Sequence, residues 1–268
     1  MDKSVDERDY RLLGQDKYTF YILRQIMGGE TRLLLSDHER LIVCFTGHPY
    51  PVWIWTPDNA SDSDMERAYQ LCKDNGLLSG GYHFNMKYSL AEYFTRRADA
   101  DGAKMKISMN MYAYDCLDPV EPQETDGMLY RCEDTDLEEL VNFLEVFHNE
   151  VGIDRKDTEG YREDARGYIN SGNMYFWKDA KGRNAACCKY APTGDMASVN
   201  LVYTHTGLRR RHYAENLVYQ VTLKIIQEGY IPMLYTDSDY AASNACYEKI
   251  GYVLRGKLCT IDVSMGVC

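Results

Sequence analysis

Residues 204–214 read Thr204-His205-Thr206-Gly207-Leu208-Arg209-Arg210-Arg211-His212-Tyr213-Ala214, and this stretch decides the fold. Before it, Met196 to Thr204 has the apolar, β-branched character of a strand. After it, Tyr213 to Gln227 places Ala214, Leu217, Val218, Val221 and Ile225 on one helical stripe and stops at Gly229. A strand therefore runs through a basic turn into a helix. The first turn of a helix has N–H groups without intrahelical partners and a partial positive charge. With three arginines beside it, such a turn is a seat for an anion of the phosphate type.

Working outward, Met128 to Cys132 is expected as a short strand, and Thr135-x-x-Glu138 as a capping box opening a helix with the stripe Leu137, Leu140, Val141, Leu144, Phe147. Tyr161 to Ile169 is expected as a second helix, closed by Asn170-Ser171-Gly172. Met174 to Trp177 and Ala185 to Tyr190 form a hairpin around Asp179-Ala180-Lys181-Gly182. Beyond the helix at Tyr213 come a strand at Ile231 to Thr236, a helix at Ala242 to Ile250 stopped by Gly251, and a last strand at Tyr252 to Val263.

This order, from about Met128 to Val263, resembles the acetyl-CoA-dependent N-acetyltransferases of the GNAT superfamily. The resemblance is strongest at the pyrophosphate loop, Arg/Gln-x-x-Gly-x-Gly/Ala in the family and Arg209-x-x-His212-x-Ala214 here, with His212 where glycine is usual. It implies acetyl-CoA as cosubstrate, with the diphosphate over Arg209, Arg210, Arg211, His212, Tyr213 and Ala214, and the pantetheine alongside Leu201, Val202 and Tyr203. The run Asp237 to Tyr252 resembles the segment in which an asparagine, here Asn244, contacts the cofactor arm and a tyrosine, here Tyr247, faces the sulfur. Three residues apart, the two share a helix face. A phenol of ordinary pKa near 10 can protonate the departing thiolate. Many relatives carry a glutamate base on the strand that here holds Ser198 and Asn200, which leaves the base unassigned; Tyr190, a water chain or an amine that arrives already deprotonated are the alternatives. Cys246 is not expected as a nucleophile, since it points about 100° away from Tyr247 on a helix.

The first half repeats the later part of this order. Strands are expected at Arg40 to Phe45, Pro51 to Thr56 and Tyr82 to Asn85, helices at Met65 to Leu78 and Ser89 to Arg97, and a long strand at Lys104 to Tyr114. Trp53-Ile54-Trp55-Thr56 echoes Leu201-Val202-Tyr203-Thr204, and Ser89-x-Ala91-x-Tyr93 echoes Ser243-x-Ala245-x-Tyr247. After Thr56, however, Pro57 to Asp64 carries three aspartates and no arginine, a turn that repels pyrophosphate. Between the halves, Leu117 to Gly127 holds two prolines and the carboxylates of Asp118, Glu121, Glu124 and Asp126, and reads as a polar connector. The fold class expected is α+β with a mixed sheet, as two GNAT-like halves: residues 1–122, a degenerate half with a structural or acceptor-cleft role, and 123–268, the acetyl-CoA-binding domain.

Composition narrows the partners. A formal net charge of −11 disfavours nucleic acid and anionic lipid and tolerates a cationic or neutral amine, small molecule or peptide. The nine cysteines include no Cys-x-x-Cys pair and the six histidines no His-x-x-x-His, so no metal is expected and the thiols read as buried and reduced. Met1 to Gln15 is charged and lacks the apolar core of a signal peptide, and no apolar run approaches the ~20 residues of a membrane span, so a cytoplasmic monomer or homodimer is expected. Two rival readings follow from the same residues. His212 and the missing glutamate suit a non-catalytic CoA-binding scaffold. A pair of GNAT-like halves also suits an aminoacyl-tRNA-dependent transferase of the Fem type, against which the acidic charge and the arginine turn both count.

Overall fold

In the computed structural model, which describes residues 1–151 and 155–264, the chain first forms α1 (Glu7–Leu12), α2 (Tyr21–Ile26), β1 (Leu33–Ser36), β2 (Ile42–Phe45), β3 (Val52–Trp55), α3 (Asp62–Asp74), β4 (His83–Met86), α4 (Tyr88–Ala100) and β5 (Lys104–Asp115). It continues with β6 (Met128–Arg131), α5 (Leu137–Val151), α6 (Thr158–Asn170), β7 (Met174–Lys178), β8 (Asn184–Thr193), β9 (Met196–Thr204), α7 (Tyr213–Gln227), β10 (Ile231–Asp237), α8 (Ala241–Lys249) and β11 (Val253–Ser264). The architecture is mixed α+β, as expected. Two compact units divide the chain: Met1–Ala113 with Thr236–Tyr240 and the chain from Leu254, and Tyr114–Tyr235 with Ala241–Val253.

In the first unit the strands lie in the order β1-β2-β3-β4-β11-β5. β1, β2 and β3 are antiparallel neighbours, and α3 then carries the chain over to β4, which runs parallel to β3. A right-handed helical crossover is what a parallel neighbour requires. All four residues of β2 and of β3 are buried, as strands covered on both faces are. The last strand of the chain lies here too. β11 pairs antiparallel with β4, Cys259 opposite Met86 and Ile261 opposite Phe84, and its Cys259, Ile261 and Val263 enter the same core as Phe84, Phe94 and Tyr69. β11 lies beyond residue 122, yet from Leu254 it falls in the first compact unit. Its apolar alternation encodes a buried strand but not which strand it pairs with.

The N-terminal segment, for which the sequence offered no periodic pattern, is locked through His38. Nδ1 lies 2.8 Å from Asp9 and Nε2 2.8 Å from Asp2, while Ser36 donates to Asp9. Among the described residues, Asp6, Asp9 and His38 are the group whose ligand atoms converge, and the imidazole already bridges two carboxylates. Hydrogen bonds first to Asp2 and then to Asp9 raise the imidazole above its ordinary value of about 6.5, outweighing its burial. A raised folded-state value means that the stabilisation is full below about pH 6.5 and is lost as pH rises through the folded value. Stability is therefore expected to fall faster with pH above about 6.5 in the wild type than in His38→Gln. Parallel slopes in denaturant midpoint against pH would remove this lock.

In the second unit the order is β10-β9-β8-β7-β6. β6 to β9 are antiparallel neighbours, and α7 crosses over to β10, parallel to β9. Each unit thus contains antiparallel steps, two in the first and three in the second, then a helical crossover, a parallel strand and a further helix. The two sequence echoes fall on matching elements, β3 with β9 and α4 with α8. On one face of this sheet α5 and α6 bury Leu140, Phe143, Leu144, Tyr161 and Ala165 against Met174, Phe176, Cys187 and Tyr203. α5 begins differently from the expected capping box. A 3-10 turn at Asp134–Asp136 precedes it, and Asp136 accepts the Glu133 N–H at 2.9 Å, leaving Thr135 inside the turn. In α7 the buried stripe starts at Tyr213 rather than Ala214.

The polar connector is seated on this unit rather than left as a linker. Trp177 donates to the Asp126 carbonyl at 2.9 Å, Ala180 N–H and the Tyr213 hydroxyl reach the Asp126 carboxylate at 2.9 and 2.8 Å, and Asn216 donates to Gln123 O at 2.9 Å. Gly127 has φ +106°, and a Cβ there would collide with the Lys178 carbonyl and Trp177 Nε1. Only glycine fits such an approach. The eight described cysteines are free thiols, all buried except the half-buried Cys246; Cys268 lies outside the described residues. No helix of the described residues is long and apolar enough to cross a membrane.

Candidate functional site

β9 and β10 are paired only at their first residues, from Ile231–Met196 to Met233–Ser198. Beyond Ser198 the described register gives Val199 to Thr204 strand partners on the β8 side alone. The pairing with β8 also shifts, from Lys189–Asn200 to Cys187–Tyr203, so that Leu201 and Val202 together oppose Cys188. That is a β-bulge, which bends a strand and increases its twist. Leu201 sits in it at φ +56°, a left-handed conformation that costs a leucine roughly 1–2 kcal/mol. An opened strand edge beside a bulge offers backbone N–H and C=O groups to an extended ligand.

The strand leads straight into the arginine turn. A 3-10 turn at Thr206–Leu208 is pinned by buried Leu208, whose N–H donates to His205 O at 2.8 Å. Arg210 and His212 then take φ +63° and +61°, and His212 is the N-cap of α7. No side chain caps this helix. Its first-turn N–H groups, on Tyr213, Ala214 and Glu215, are thus presented at a turn carrying Arg210 and Arg211, both exposed. His212 Nδ1 contacts Glu215 at 2.7 Å, and Glu215 also receives Lys249 of α8 at 3.1 Å, which ties the two helices of the expected site together. Burial raises the Glu215 carboxyl, but His212 and Lys249 hold it below its ordinary value. The Tyr213 side chain turns inward to Asp126, so this residue offers the seat only its backbone.

Arg209 behaves differently from its two neighbours. Its Nε donates to Thr204 O at 3.0 Å and its terminal nitrogen pairs with Glu150 at the end of α5. The same carboxylate accepts Tyr203 Oη and Thr206 Oγ1, each at 3.0 Å. Glu150 was not found from sequence. It lies 59 positions before Arg209, on the polar side of an amphipathic helix, and nothing local marks it.

On α8, Asn244 is half-buried and Tyr247 is buried, its ring edge-on to Tyr252 at 6.0 Å. Burial pushes the Tyr247 phenol up, so it is protonated throughout the neutral range and fit to donate. Cys246 is pushed up to about 12 by burial and is no thiolate. Tyr190 is committed as a donor to Glu228. Burial and a 2.7 Å bond to Glu228 hold its phenol protonated. Ser198 and Asn200 bond to one another, Asn200 Nδ2 to Ser198 O at 2.8 Å, and neither ionises. The first unit's matching helix start is closed: Ser61 caps α3, Asp64 reaches back to the Ser61 N–H at 2.8 Å, and Arg40 pairs with Asp64.

Residues 176–261, which span β9, the arginine turn, Asn244 and Tyr247, match the family described as FR47-like protein. The fold is similar to that of an acetyltransferase from the GNAT family of Colwellia psychrerythraea, 10% identical, with a TM-score of 0.60 over 92% of this chain and 96% of that one. It is similar also to a GCN5-related N-acetyltransferase from Sphaerobacter thermophilus, 11% identical, TM-score 0.61, over 90% and 84%. A GCN5-related N-acetyltransferase from Kribbella flavida, 12% identical, gives 0.59 over 95% and 93%. A search of curated proteins finds no match. The chain has the fold of the GNAT acetyltransferases, and its segment 176–261 is FR47-like.

Proposed function

We propose that the protein transfers the acetyl group of acetyl-CoA to a primary amine. The observation that carries this reading is the continuity of an opened β9 edge with an uncapped, arginine-flanked helix start. Pantetheine lies along Leu201, Val202 and Tyr203, and the diphosphate rests over the backbone of His212 to Ala214 with Arg209, Arg210 and Arg211 beside it. The amine attacks the thioester carbon directly, the tetrahedral adduct collapses, and Tyr247 protonates the departing thiolate. Asn244 steadies the cofactor arm. The amine must lose a proton, and the neutral Ser198–Asn200 pair supplies no base on this strand, so it arrives unprotonated or yields the proton to water. The test is release of free CoA thiol from acetyl-CoA across a panel of primary amines, with product identified by mass. CoA binding without thiol release on any amine supports the second reading, a non-catalytic CoA-binding protein, which that same neutral pair favours.

His212→Gly is expected to keep CoA affinity or to tighten it. At φ +61° a histidine holds a conformation that glycine adopts freely, and its loss removes one contact to Glu215. Offsetting this, glycine near a helix start costs at most about 1 kcal/mol in chain entropy. A mutant that no longer binds CoA in calorimetry makes His212 a direct ligand instead.

A further inference from the structure

The arginine turn already holds an anion of its own. We infer that Glu150, which pairs with Arg209, competes there with a diphosphate, so that Glu150 sets the affinity of the seat. This rests on the diphosphate assignment above.

Of the three consecutive arginines, Arg209 is paired with a carboxylate, that of Glu150, and also donates to Thr204 O. Its neighbours Arg210 and Arg211 are exposed. Arg209 also lies over the Tyr203 ring of β9, 5.4 Å from its centre, while its charge is met from α5. The pair is open to exchange. Its side chains are 43% and 36% exposed, and an ion pair at that exposure is screened and weak. Glu150 need not leave the site when it gives up the arginine, because Tyr203 and Thr206 both donate to its other oxygen. A carboxylate held by two hydroxyls can therefore wait beside the ligand. The arrangement subtracts one positive charge from the seat and restores it only to an anion that competes with a carboxylate.

The experiment is calorimetric titration of inorganic pyrophosphate and, separately, of CoA into wild type and Glu150→Gln. The amide still accepts from Tyr203 and Thr206 but no longer neutralises Arg209. Roughly two- to fivefold tighter binding of both ligands is expected, the range of an exposed ion pair. The gain should vanish when Arg209→Gln is already present, since a coupling through Arg209 needs both partners. Should Glu150→Gln melt early, Glu150→Asp, too short to span both arginine and hydroxyls, serves the same test with a smaller gain. Unchanged or weaker binding of both ligands, or a gain that persists in the Arg209→Gln background, overturns the inference. Tighter pyrophosphate with no CoA binding in either protein leaves Glu150 in this role and sinks the acetyl-CoA reading instead.

Discussion

Tyr247→Phe is expected to leave acetyl-CoA affinity close to wild type and to lower turnover by roughly 10²–10⁴-fold, the usual contribution of a positioned general acid. The ring survives the change, and with it the edge-on contact to Tyr252 at 6.0 Å, so the helix should stay in place. What is lost is the phenolic proton, which burial keeps on the oxygen well above neutral pH. The loss should shrink with an acyl donor whose thiol has a lower pKa, because that thiolate leaves with less help. This dependence separates an acid from a packing residue, since a packing defect slows both donors alike. Full turnover by the mutant on a verified amine would demote Tyr247 to the core.

How much of this site could be read from sequence follows from how local each part is. The strand, the basic turn and α7 are contiguous, and Tyr213–Gln227 forms where its 3.6-residue stripe and Gly229 put it. The Asn244–Tyr247 helix was legible for the same reason. The bulge was not. A left-handed backbone is signalled by glycine, and here it is imposed on Leu201, Arg210 and His212 by strand pairing and by the docking of Leu208. Glu150 was hidden by distance along the chain, and the connector by its composition. Two prolines and four acids look like a tether, yet Asp126 accepts from Trp177, Ala180 and Tyr213. Polar residues that fold onto backbone donors resemble linkers until their partners are known. The pairing of β11 with β4 is the same problem at the scale of a sheet.

The contrast between the two helix starts leads to the second large effect. α3 caps its first turn through Ser61, which accepts the Asp64 N–H, and adds the carboxylates of Asp62 and Asp64, which complement the helix dipole. α7 lacks a side-chain cap and follows three arginines, one of them neutralised by Glu150. Reversing Arg209 alone would set a second carboxylate against Glu150 and disturb Tyr203 and Thr206, so a weakened ligand could be blamed on a damaged turn. Arg210 and Arg211 are the cleaner choice because their side chains are exposed. In the double change Arg210→Glu with Arg211→Glu, two attractive charges become repulsive. A hydrogen bond to a charged group is worth ~1.5–3 kcal/mol, less where water screens it, so a combined loss of about 3 kcal/mol is expected, roughly 100-fold in CoA affinity. Repeating the titration at raised ionic strength should narrow the gap between mutant and wild type, as screening requires. The single change Arg210→Glu should melt near the wild type, whereas Arg211 also meets the Tyr213 hydroxyl, so the double change should melt somewhat earlier. Equal CoA affinity in the two proteins at low salt would place the diphosphate away from this turn, and the assignment of the seat would have to be given up.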